Sequence, residues 1–97
     1  MSDHPALENF LAAYFHQDWQ AEHATPEAVV EYYRSSESPE QVAATHREIG
    51  HLVALGLDEA ALGARLRGLG CEFDPTRAGL GWRDWLAAMQ ARLQPGT

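Results

Sequence analysis

The chain has 97 residues, 45% of them hydrophobic, with a single cysteine and a formal net charge of −7 at pH 7. That length fits one domain, 1–97, with one modest core, and a lone thiol that cannot staple the chain fits a cytosolic setting. No run approaches the ~18 apolar residues of a membrane span, and the opening MSDHPALE has neither the basic start nor the apolar stretch of a secretory signal.

The charge is one-sided. Residues 1–48 hold nine acids and two arginines, a balance of 2 − 9 = −7, and residues 49–97 hold five of each. A field of that kind repels nucleic acid and anionic membranes and attracts a basic protein or a cation. The same acidity also serves solubility.

Taken in chain order, the punctuation predicts helices. Pro5 suits a first helical position, and Leu7, Phe10, Leu11 and Tyr14 follow at helical spacing, with Phe15 widening the stripe. Thr25-Pro26-Glu27 reads as a cap, a proline at the first position and an acid near the positive helix end. Val29, Val30, Tyr32 and Tyr33 make that second helix apolar until Ser35-Ser36 ends it. Ser38 with Gln41 forms a capping-box signal, opening a third helix with Val42, Ile49, Leu52 and Val53 inward and an end near Gly56. Asp58 caps a fourth, carrying Leu62, Leu66 and Leu69 to Gly70, a left-handed stop. CEFDPTRAGLG is irregular, with Phe73 plugging the core. Trp82, Trp85, Leu86, Met89 and Leu93 then give the clearest amphipathic pattern. No alternating run of strand length competes. The expected fold is all-α, a compact bundle of about five helices.

Catalytic and metal chemistry find little support. His46 and His51 are five apart, which at about 100° per residue leaves them roughly 140° apart around a helix, unlike the i, i+4 pair of a zinc protease. There is no serine elbow, phosphate loop or CxxC pair. Glu72 and Asp74 beside Cys71 would raise its pKa and make it an inert, buried thiol. No catalytic residue, cofactor or metal ligand is assigned.

YFHQDW (residues 14–19) is a joint. A continuing helix would put Asp18 on the stripe of Leu7, Leu11 and Tyr14, where an unpaired carboxylate is costly. The helix is therefore expected to end near His16 or Gln17. Asp18 would then bond nearby backbone N–H groups, Trp19 would fold back onto the core, and His16 would be favoured when protonated at the helix end. Asp18 as a partner contact is the alternative.

These residues also carry a resemblance. LENFLAAYFHQDW, the Thr-Pro-Glu helix start, AATHREIGHLVALG, LGCEFDP and WRDWL together resemble the helical immunity proteins of bacterial contact-dependent growth inhibition systems, from roughly Pro5 to Leu93. YFHQDW is the most specific part. The resemblance implies a non-enzymatic antitoxin in the cytoplasm, monomeric when free. It would bind one-to-one the toxic C-terminal domain of a large exported effector. Such toxins are often nucleases, some of them ribonucleases, with basic clefts, and the acidic first half suits them. A helical adaptor unrelated to toxins is the rival reading.

The resemblance does not locate the contact surface. The candidates are the first-half acids Asp18, Glu22, Glu27, Glu31, Glu37 and Glu40. Glu27 and Glu31 share a helical face, where like charges cost a few tenths of a kcal/mol, so their retention hints at use. Glu48, three residues before His51, is expected to make a local helix contact instead. Tyr32 or Tyr33 could anchor a partner, the other being core.

Overall fold

Every proline that the sequence places at a helix start does open one. In the computed structural model, which describes residues 4–16 and 18–94, the helices are α1 (Pro5–Tyr14), α2 (Trp19–Glu22), α3 (Pro26–Ser36), α4 (Pro39–Ala54), α5 (Glu59–Gly68) and α6 (Trp82–Arg92), with a 3-10 turn at Pro75–Ala78 between the last two. No strand occurs among the described residues. The chain is all-α, as expected, with five helices of ten residues or more. The four-residue α2 is additional, too short to leave a periodic signature.

Three caps form as the sequence predicts. Thr25 Oγ1 accepts from Ala28 N at 3.1 Å, Ser38 Oγ from Gln41 N at 3.2 Å, and Asp58 Oδ1 from Ala61 N at 2.7 Å. Each satisfies one of the N–H groups that a helix start leaves without a partner. Gly56 and Gly70 adopt the left-handed backbone (φ 67° and 102°) at the ends of α4 and α5.

His4 and Gly81, the cap residues of α1 and α6, provide no side-chain cap bond, and carboxylates from other helices take over. Glu48 of α4 accepts from Leu7 N at 2.8 Å. Glu59 of α5 accepts from Trp82 N at 2.6 Å and Arg83 N at 3.0 Å. Both add negative charge at a positive helix end, and both staple one helix to another. Glu48 therefore does not serve a local contact within its own helix: the uncapped start of α1 claims it.

α1 packs chiefly on α4, α4 on α6 and α6 on α5, with α3 touching α1, α4 and α6. The core runs through these contacts: Leu7, Phe10, Leu11 and Phe15 meet Tyr33, Ile49, Leu52, Leu66, Trp85 and Leu86. Phe73, partly buried, packs against this core. Tyr33 is fully buried and the Thr45 hydroxyl lies 2.7 Å from its own. Both hydroxyls also reach the Gln41 carbonyl, Thr45 at 3.1 Å and Tyr33 at 3.5 Å, which ties α3 to α4.

At the YFHQDW joint, α1 ends at Tyr14 with Phe15 as its cap residue, earlier than His16; Gln17, the other expected end, lies outside the described residues. Trp19 folds onto the core at 6% exposure. Asp18 does not use its carboxylate to cap. Its backbone N–H donates to His16 Nδ1 at 3.0 Å. The other ring nitrogen, Nε2, lies 3.1 Å from Glu22 Oε1. In this arrangement the imidazole, rather than the Asp18 carboxylate, is the local backbone acceptor.

Candidate partner-binding face

Glu27 and Glu31 lie exposed on α3, one turn apart. At about 100° per residue they sit roughly 40° apart on the outer arc, and Tyr32 occupies its far edge. Tyr32 is 51% exposed, its ring centroid 5.0 Å from that of His23 and 6.0 Å from that of Tyr14. The ring is thus braced on one side and open on the other, as suits an aromatic anchor. Of the two tyrosines considered from sequence, Tyr33 is the core residue.

The other acidic candidates divide. Asp18 and Glu40 are exposed. Glu22 is exposed at the end of α2, where it receives the His16 hydrogen bond. Glu37 is half-buried and already engaged: it accepts from Tyr14 OH at 2.7 Å. Burial, then that bond and the nearby negative charge, push the Tyr14 phenol up to about 12.

Beside Glu27 the surface opens into a cleft of about 560 Å³. Its floor is aromatic, from Trp19, Phe73 and Trp85. The Trp19 and Phe73 rings meet edge-on at 5.4 Å, and Phe73 and Trp85 lie 5.2 Å apart. Glu27, Glu72, Asp74, Arg77 and Leu80 are also in its wall. The Thr76 hydroxyl and backbone N–H donate to Asp74 Oδ1 at 2.5 and 3.0 Å, and the hydroxyl bond leads in holding that carboxyl below its usual range. Next to the cleft, burial pushes the Cys71 thiol up to about 12, and its Sγ donates to the Phe73 carbonyl at 3.3 Å. It is a buried, protonated thiol.

Glu72 and Asp74 are not among the contact candidates read from sequence because the charge of the second half cancels. A signal was nevertheless present. Glu72 and Asp74 flank Phe73, and side chains on either side of an inward residue in a non-helical segment tend to point outward. Among the described residues, no three His, Cys, Asp or Glu side chains gather as a metal site would require. The surface offers exposed charge beside aromatic area.

The sequence profile of the CdiI immunity protein matches residues 3–93. The chain belongs to the CdiI immunity protein family. Among solved structures, the fold is similar to a chain in the "Crystal structure of CdiA-CT/CdiI complex from Y. kristensenii 33638". The TM-score is 0.90 at 23% identity, over 96% of this chain and 100% of that one. No curated protein matches. At that identity the structural likeness speaks for the fold; family membership rests on the profile match.

Proposed function

We propose that this CdiI-family chain is a cytoplasmic antitoxin that binds the C-terminal toxin domain of a contact-dependent growth inhibition effector and neutralises it without catalysis, cofactor or metal. The profile match across residues 3–93 carries this reading. The one-sided charge supports it further, and a nuclease toxin, such as a ribonuclease, is the class that fits. A cleft shaped for phosphates presents Lys and Arg, and carboxylates can occupy the same donors. Glu27 and Glu31 stand exposed to do so, with Asp18, Glu22 and Glu40 at the margins and Tyr32 as the aromatic contact. Glu37 contributes by holding Tyr14 beside Tyr32. Opposed charge also accelerates capture, toward ~10⁸ M⁻¹s⁻¹ or above at low salt. The free protein is a monomer and the complex one-to-one.

The test is inhibition of the toxin domain encoded beside this gene, assayed by degradation of RNA or DNA. One equivalent of protein should abolish the activity. Full activity in the presence of excess protein would refute the reading for that toxin. Inhibition of a toxin with no nuclease activity would keep the antitoxin role and remove the phosphate-mimic argument.

A further inference from the structure

The acidic arc of α3 leads into the cleft beside it, and the cleft combines two features that select one kind of occupant. Its floor offers Trp19, Phe73 and Trp85, and its wall holds three carboxylates (Glu27, Glu72, Asp74) against one guanidinium, Arg77. A purely apolar guest would leave those carboxylates facing grease; a small hydrated cation would make no use of the rings. A planar guanidinium uses both. It stacks on aromatic faces while its N–H fork pairs with carboxylates.

Three observations show that the cleft walls are available. The side chains of Glu27 and Glu72 have no hydrogen bond or ion pair within the protein among the described residues. Trp19 and Trp85 have no indole hydrogen bond there either, yet among the described residues no fully buried side-chain donor is left without a partner. Their indole N–H groups are therefore not fully sealed, although the two side chains are only 6% and 5% exposed. Leu80, 38% exposed at the wall, gives the aliphatic stem of a long side chain something to lie against.

We propose that this cleft receives an arginine-bearing loop of the toxin domain, the guanidinium stacked over the aromatic floor and paired with Glu72 and Glu27. The assignment deepens the antitoxin reading and rests on it. It adds to the acidic face of α3 a specific socket from the second half of the chain, where the net charge gives no hint of one.

Binding of the purified toxin domain is measured by calorimetry for wild type, Glu72→Gln, the Glu27→Gln/Glu72→Gln pair, Leu80→Ser and Ala64→Lys. Ala64 is exposed on α5 and away from the cleft, and Ala64→Lys changes the net charge by the same amount as Glu72→Gln. The expected losses of affinity are about fivefold for Glu72→Gln and tenfold or more for the pair, with less than about twofold for Ala64→Lys. Circular dichroism and melting curves should show every variant folded. A double-mutant cycle against Arg→Ala substitutions in the toxin should then find one arginine whose effect largely disappears in the Glu72→Gln background. Equal effects of Glu72→Gln and Ala64→Lys, or additivity for every toxin arginine, would overturn the socket while leaving the antitoxin reading intact. Absence of wild-type binding would overturn that reading for this toxin, and the socket with it.

Discussion

Gly63 and Gly68 lie in the same helix, and alanine at each should move stability in opposite directions. Replacing glycine by alanine inside a helix gains up to about 1 kcal/mol from backbone entropy alone. At Gly68 nothing lies within 4 Å of the added Cβ, so the gain should appear, reduced by the position at the helix end, as a small rise in Tm. At Gly63 the added carbon would sit 2.6 Å from Trp82 Nε1, 2.9 Å from Cε2 and 3.0 Å from Cδ1, against contacts that are comfortable near ~3.5–4.0 Å. Trp82 has nowhere to go. It is 4% exposed, its backbone N–H is held by Glu59, and its ring has the Arg67 guanidinium over it at 5.7 Å and the Trp85 ring edge-on at 6.1 Å. Overpacking of this kind costs about 1–3 kcal/mol and so outweighs the helical gain. A net loss of about 1 kcal/mol lowers Tm by roughly 4–8 °C in a domain of this size. Calorimetric or circular-dichroism melts of the two variants and the wild type decide the matter. A rise in Tm for both would mean that α5 and α6 do not close on Gly63, and the packing described for Trp82 would be wrong.

The remaining expectations concern the tertiary cap, the buried thiol and the exposed tyrosine. Glu59→Ala strips the partner from two N–H groups at the start of α6; hydrogen bonds to a charged group are worth about 1.5–3 kcal/mol each, but Glu59 is exposed and water can replace much of this. A loss of about 1–2 kcal/mol in urea unfolding is expected, partly recovered in Glu59→Gln, and an unchanged midpoint would contradict the cap. Cys71 should resist thiol reagents at pH 8 until the protein unfolds. Because folding raises its pKa from 9.0 to about 12, its contribution is fully present below pH 9.0 and declines as pH rises through that interval. The stability of Cys71→Ala should therefore fall less steeply with pH there than that of the wild type, and parallel slopes would count against a buried thiol. Tyr32→Ala should leave Tm within a few degrees and weaken toxin binding about tenfold or more, as loss of an anchor does; unchanged affinity would remove Tyr32 from the contact.

Local signals carried most of the fold. Pro5, Pro26 and Pro39 with their caps, Gly56 and Gly70 at the stops, and the Trp82–Leu93 stripe act within one or two turns, so their meaning survives without tertiary context. What escaped acts at a distance. Glu48 caps α1 from 41 residues away, and Glu59 caps α6 from 23 and 24 residues away. Neither pairing leaves a pattern in the linear chain. The four-residue α2 is below the length at which periodicity has meaning. On the candidate face, the acids of α3 were legible because two charges one turn apart share a side. The bond of Glu37 to Tyr14 was not legible, because the two lie 23 residues apart. The cleft was the least legible part, since it joins Glu27 to Glu72 and Asp74 across a charge-neutral half.

The central claim is that this chain captures a toxin domain through its acidic side. The most direct test is calorimetric titration of the neighbouring toxin domain into the protein at two salt concentrations. Tight one-to-one binding that weakens as salt screens the carboxylates is the expected result. Tight binding at the same affinity in both salts would contradict the acidic contact and move it onto apolar surface. No binding would contradict the antitoxin role for that toxin.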